Sequence, residues 1–346
     1  MTISAEDTLM FREAASAGDA VARQFAGGGD VVAALVDSLA ARPPAMVVTC
    51  ARGSSDHAAT FAKYAFERQL GWVTASAAPS VSSIYQAPLR LEASLFVAIS
   101  QSGKSPDLIE AVQRASRQGA RTLALVNAPD TPLERIADWT LPLAAGPEKS
   151  VAATKSYIAS LAAIARIVDA IERSASDIAP DLSALPDLLR AAWRLDWSPM
   201  VQALKDCRGL FVLGRGPGLA IAQEAALKFK ETCGIHAEAF STAEVRHGPM
   251  ALAATGLPML IFRQDDESAA GVDDLIKELL AIGANLLVAS SGPCGGAIGL
   301  PVVEAPAALQ PLLQIQSFYA AINNLAVLRG HDPDRPPLLR KVTETV

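Results

Sequence analysis

Short apolar runs alternate along this chain with longer stretches whose apolar positions recur every three or four residues. Residues 45–50 (AMVVTC), 95–99 (LFVAI) and 122–126 (TLALV) have the length and composition of buried strands. Weaker strands are expected near 72–75 and 140–143. Helical spacing marks residues 31–39, 56 to about 70, the stretch after Asp107, and an apolar run ending near Ile171. Residues 1–25 predict an Ala-rich helical lead-in with Met10, Phe11, Ala14 and Ala15 as its apolar stripe, broken at Gly27-Gly28-Gly29. Strands alternating with helices imply a parallel sheet covered on both faces.

The pattern then repeats. Strands are expected at 209–213, 259–262 and 286–289, and a helix from near Leu219. The step along the chain from Gly53 to Gly216 equals that from Ser100 to Arg263, and the step from Gly119 to Gly283 is longer by a single position. Nearly one offset at three landmarks indicates tandem duplication of an α/β domain. The expected organisation is a lead-in over 1–30, one domain over 31–173, a helical connector over 174–197, a second domain over 198–330 and a tail over 331–346.

Composition narrows the function classes. Half of the 346 residues are apolar and 19% are charged, as in a soluble globular chain. A formal charge of −6 argues against a nucleic-acid surface, which needs concentrated Lys and Arg. Cys50, Cys207, Cys233 and Cys294 are scattered, without a CxxC pair or a His at ligand spacing, so neither a metal nor a cofactor is expected. The N-terminus carries Glu6 and Asp7 rather than a basic-then-apolar leader, and no apolar stretch reaches membrane-spanning length. The expectation is a cytoplasmic protein that meets no membrane.

Candidate chemistry gathers in two places. In open parallel sheets ligands sit beyond the carboxyl ends of the strands, and Gly53-Ser54-Ser55 and Ser100-Gln101-Ser102-Gly103 both follow strands there. With Ser105, these turns offer hydroxyls beside helix N-termini, whose amides lack partners and whose dipole favours anions. A phosphate cradle is expected; the plainer alternative is that the serines merely cap helices. Gly214-Arg215-Gly216-Pro217-Gly218 resembles part of a dinucleotide fingerprint, but no acid closes the following strand as that motif requires. In the second half Glu224, Lys228 and Glu231 stand at i, i+4 and i+7 and share one helical face, which alone would suit a solvated salt-bridged surface. His247 precedes Gly248-Pro249, a rigid turn that suits a positioned imidazole. A carboxylate, an amine and an imidazole near a phosphate cradle are what sugar-phosphate isomerisation requires.

The runs SQSGKSPD, VAATKSY, LGRG, EAALKFKE, HAEAFSTAEVRHGPMA and PPLLRKVTETV resemble the sugar isomerase (SIS) half of glucosamine-6-phosphate synthase, over essentially the whole chain. The resemblance implies an α/β fold of two flavodoxin-like SIS domains and a homodimer acting on a phosphorylated amino sugar. Ser54, Ser55, Ser100, Gln101, Ser102 and Ser105 then match the sugar-phosphate binders, with Val151 lining the pocket. Glu231 matches the residue that moves a proton between C1 and C2, and Lys228 its partner. His247 matches the ring-opening histidine that arrives from the neighbouring subunit. Lys341 matches the lysine that forms a Schiff base with the open-chain ketose. The departures are Lys104 for the family's acid, Ser105 for its threonine, Arg246 for the lysine before HGP, and Ala153 for a serine. The synthase also carries an N-terminal glutaminase domain for which the sequence before residue 30 has no counterpart. The resulting expectation is a glucosamine-6-phosphate deaminase. The alternatives are an isomerase or deglycase for another phosphosugar, and a non-catalytic sensor. A sensor would need a DNA-binding module, and residues 1–30 are too short and acidic for one.

Overall fold

The computed structural model describes residues 4–175 and 181–341. Residues 1–3, 176–180 and 342–346, which belong to the expected lead-in, connector and tail, lie outside the described residues. The chain divides into two compact units: residues 19–148, 155–175 and 181–183 form one, and residues 4–18, 149–154 and 184–341 form the other.

The lead-in comprises α1 (Leu9–Ala15) and α2 (Ala17–Ala26), followed by α3 (Gly29–Ala41). The first sheet contains β1 (Met46–Cys50), β2 (Thr74–Ser76), β3 (Ser94–Ser100), β4 (Arg121–Val126) and β5 (Trp139–Pro142). These strands are parallel, in the order β2-β1-β3-β4-β5. Their connections carry α4 (Ser54–Leu70), α5 (Pro79–Ser83), α6 (Pro106–Arg117), α7 (Pro132–Ile136) and α8 (Lys155–Ala175). α6 buries Leu108, Ala111 and Val112 against Phe96 and Ala124 of the sheet, and Leu133 of α7 completes that core.

The second unit takes in α1 and, from residue 184 on, carries α9 (Leu185–Trp193) and α10 (Ser198–Leu204) and then repeats the plan. Its strands are β6 (Gly209–Gly214), β7 (His236–Ser241), β8 (Met259–Phe262), β9 (Leu286–Ala289) and β10 (Ile298–Leu300). Its longer helices are α11 (Gly218–Cys233), α12 (Ala269–Ala281) and α13 (Gln310–Leu328). The order β10-β9-β8-β6-β7, all parallel, is that of the first sheet. Duplication extends to strand register. Val48 pairs with Phe96, and their equivalents at the Gly53-to-Gly216 offset, Phe211 and Met259, pair in the same way. Gly53 and Gly216 both have positive φ, +56° and +54°, so both halves leave the first strand by the same turn.

Four elements have no apolar signature in the sequence, each for a physical reason. β7 and β10 are edge strands; β7 alternates exposed and covered positions, and β10 buries only Leu300, so neither shows an apolar run. α5 and α7 are five residues each, shorter than two helical repeats. α4 also begins earlier than its periodicity indicates: Ser54 and Ser55 form its first turn.

The halves differ between their fourth and fifth strands. Leu123 pairs with Trp139, sixteen positions later, whereas Leu287 pairs with Ile298, eleven later. The five positions lost match the length of α7, which has no counterpart there. A cleft of about 600 Å³ opens instead, between Ile276 and Leu280 of α12 and the shortened Ser290–Gly295 connection. Among the described residues, no helix is long and apolar enough to cross a membrane.

Candidate active site

In the first unit the strand order reverses between β1 and β3, which pair along their length. Such a switch point leaves a crevice outside the strand ends, and both hydroxyl-bearing turns begin there. After β3, the buried Ser100 hydroxyl oxygen accepts the Gly103 N–H at 2.9 Å, and Ser102 Oγ accepts the Lys104 N–H at 3.3 Å. Gly103 has φ +62°, and a Cβ there would lie 2.4 Å from Thr131 Oγ1, so only glycine fits. Ser105 occupies the N-cap of α6 yet makes no capping hydrogen bond with its side chain, and Pro106 supplies no N–H. The capping explanation therefore fails for Ser105, whose hydroxyl remains available to a ligand. Gln101 and Ser102 are half-buried in the same turn, and Ser54 and Ser55 are half-buried on the first turn of α4.

Sequence reasoning missed what joins these turns. Arg52, the residue before Gly53, bonds the Asp107 carboxylate through Nε and Nη2, each at 2.8 Å. The Asp107 side chain is fully buried and that of Arg52 is 48% exposed. Arg52 directly precedes Gly53-Ser54-Ser55 and Asp107 closes the run SQSGKSPD, so adjacency was the only sequence signal. Cys50, at the end of β1, is not a nucleophile: burial, then the Asp107 charge, push its thiol up to about 12.

In the second unit the three-residue face of α11 is not solvated. Lys228 and Glu224 are completely buried, whereas the Glu231 side chain is 20% exposed. The Lys228 ammonium lies 3.2 Å from Glu224 and 2.6 Å from Glu231, and Tyr319 Oη donates to Glu224 at 3.0 Å. Burial alone would lower the lysine's pKa, but the two carboxylates outweigh it and hold the pKa above its ordinary value. Lys228 therefore stays charged at neutral pH and acts as a fixed cation. Only Glu231 of the two acids is placed to meet a substrate. Tyr319 was not foreseeable: it comes from α13, 95 residues downstream of Glu224.

The remaining predicted residues also belong to the second unit. His247 is exposed at the end of a 3-10 turn, Glu244–His247, which buried Val245 anchors. Val151 is half-buried in a loop held from α1, where the Glu13 carboxylate accepts the Lys149 and Ser150 N–H groups at 2.5 and 3.1 Å. The N-terminal helix thus supports a predicted pocket residue, a role its composition did not announce. Lys341 is half-buried at the last described position.

The glycine run after β6 has a packing explanation. A Cβ on Gly214 would lie 2.1 Å from the Gly218 carbonyl oxygen, and one on Gly218 would lie 2.2 Å from Gln264 Oε1. The segment after β8 keeps one hydroxyl of the first half's set, Ser268 at the N-cap of α12, and it donates to Asp266 Oδ1. Arg263 stands where Ser100 stands in the first half, and it is bound by Asp273 at 2.7 and 3.0 Å and by Asp265. Among the described residues, no group of three His, Cys, Asp or Glu side chains is arranged to hold a metal.

Known proteins share this fold. The SIS domain matches residues 43–168 and 203–290. The chain belongs to the SIS family. This SIS chain is 33% identical over 308 residues to the isomerising glutamine–fructose-6-phosphate aminotransferase of Thermococcus kodakarensis, covering 85% of this chain and 51% of that protein. It spans about half the length of the curated relatives it matches. A Silicibacter pomeroyi protein provisionally assigned as a phosphosugar isomerase superposes with a TM-score of 0.88 at 41% identity, over 94% of this chain and all of the other. The C-terminal domain of the Francisella tularensis glucosamine-fructose-6-phosphate aminotransferase superposes with a TM-score of 0.84 at 25% identity, over 95% and 98%.

Proposed function

We propose that this SIS-family phosphosugar isomerase is a glucosamine-6-phosphate deaminase, converting glucosamine 6-phosphate and water to fructose 6-phosphate and ammonia. The observation that carries the reading is the buried Glu224–Lys228–Glu231 set, in which a fixed cation holds one accessible carboxylate. The hydroxyl turns at Ser54–Ser55 and Ser100–Ser105 seat the phosphate. His247 protonates the ring oxygen and opens the sugar, a step assigned to the histidine of a second copy in a homodimer. Glu231 takes the C2 proton and returns one to C1, giving a C2 imine. Water adds to that imine and ammonia leaves, which completes the balance. Lys228 offsets the charge that develops along this path, and Lys341 is assigned to hold the open-chain ketose. The set itself moves protons and carries charge, and water is the co-reactant it needs.

Ammonia and fructose 6-phosphate, assayed in parallel, test the reading. Equal amounts of both products from wild-type protein are expected. Glu231→Gln should lower turnover at least about 100-fold, since a positioned proton carrier contributes 10²–10⁴, while the affinity for the sugar phosphate stays within a few-fold. Retained turnover in that variant would remove Glu231 from its role. The substitutions Lys104 and Ala153 favour a second reading, aldose–ketose isomerisation of a different phosphosugar. Isomerised sugar without ammonia would be its signature.

A further inference from the structure

We propose that Arg52 is the cation that reads the substrate phosphate and that Asp107 is its positioning residue. The inference rests on the phosphosugar reading above and adds a charged contact to its hydroxyl seat. Arg52 leaves the end of β1 at the switch point, one residue before Gly53-Ser54-Ser55. Its partner Asp107 lies two residues after Ser105, in the first turn of α6. The 2.8 Å contacts from Nε and Nη2 to one buried carboxylate oxygen fix the plane of the guanidinium. They engage one edge of the fork and leave Nη1, on a side chain that is 48% exposed, facing away from Asp107. A guanidinium presents five donors in rigid geometry and stays protonated at all working pH, which matches a phosphate dianion that can accept two parallel bonds. Because Asp107 has already ordered the side chain, the ligand does not have to.

A purely structural role, in which Arg52 serves only to neutralise a buried acid, does not account for the comparison between halves. Arg215 is the counterpart of Arg52 in the second half, beyond the end of β6 and before the same positive-φ glycine. There the guanidinium donates to Ser241 Oγ at 2.9 Å, and the turn that follows β6, Arg215-Gly216-Pro217-Gly218, carries no serine. At this position the carboxylate partner is found in the half whose turn carries the serines. The same ion pair spans the two turns, so one contact both aims the cation and fixes the separation of the hydroxyl sets.

Calorimetric binding of glucosamine 6-phosphate, glucosamine and inorganic phosphate tests this independently of turnover. Wild type is expected to prefer the phosphorylated sugar. Arg52→Gln should weaken glucosamine 6-phosphate and inorganic phosphate alike, by about 10- to 100-fold, the span expected for a charged hydrogen bond. In turnover it should raise KM by a similar factor with kcat within about threefold, a split that general destabilisation would not produce. Arg52→Lys, which keeps the charge but not the fork, should fall between. Because Arg52→Gln strands a buried carboxylate, the double variant Arg52→Gln/Asp107→Asn provides a folded comparison with the same loss expected. Asp107→Asn alone should weaken phosphate binding less than Arg52→Gln. If wild type binds the phosphosugar and either folded Arg52→Gln protein binds it equally well, the inference is overturned and the site reading stands. If wild type binds no phosphosugar, the site reading falls and the inference with it.

Discussion

Lys228 shows how far a single side chain depends on its neighbours. A lysine buried without partners would lose its proton, yet Glu224 at 3.2 Å and Glu231 at 2.6 Å keep it charged. Removing one member of a buried ion pair strands the others, at a typical cost of about 3–5 kcal/mol. Lys228→Met should therefore lower unfolding free energy by roughly that amount, read from urea midpoints, and should abolish turnover as well. The pH dependence has a definite sign. With its folded pKa raised above the unfolded value, Lys228 contributes fully below roughly pH 10.4 and loses that contribution only as pH rises further. Wild-type stability should thus show no Lys228-linked change across neutral pH and should begin to fall in strong alkali. The spacing of Glu224, Lys228 and Glu231 was legible in the sequence, because helical geometry alone puts them on one face. Their burial was not, since it depends on α13 and Tyr319, which close over the face from a distant part of the chain. For Arg52 and Asp107 the missing information was the pairing of β1 with β3, which brings positions 55 residues apart within hydrogen-bonding reach.

At the level of elements, two glycines after adjacent strands illustrate different constraints. Gly53 has φ +56° but open space where a Cβ would stand, whereas Gly103 has φ +62° and Thr131 in the way. Gly53→Ala carries backbone strain alone, about 1–3 kcal/mol. Gly103→Ala adds a clash with a buried threonine that caps α7, so it should be the more destabilising of the two and should also weaken phosphosugar binding. Urea unfolding of both variants checks the ranking, and equal losses would contradict it. Central strands and long helices were legible because burial on both faces writes continuous apolar runs and amphipathic faces write a 3.6-residue period. Edge strands β7 and β10 carry neither signal, and one-turn helices α5 and α7 are set by proline and a capping box rather than by periodicity.

Across the whole molecule, one architecture appears twice with its register kept and its strand ends rewritten. The first copy ends β3 in hydroxyls and a positive-φ glycine. The second ends β8 in Arg263, which Asp273 and Asp265 neutralise. The second copy carries its candidate residues, Glu224, Lys228 and Glu231, on α11 instead. The sequence offset made the duplication visible, while the divergence of the strand ends required the side-chain contacts. The loss of α7 from the second copy also makes the first copy a donor of spare parts. In the first unit Leu133 is fully buried against α6; its transplanted equivalent would have the α12 cleft to fill. Replacing residues 291–297 with the sequence of residues 127–138 should bury a leucine worth about 1.5–3 kcal/mol. The melting temperature would then rise by several degrees. A chimera that melts higher with unchanged turnover would make the gap a vacant socket, open to engineering without disturbing the chemistry on α11.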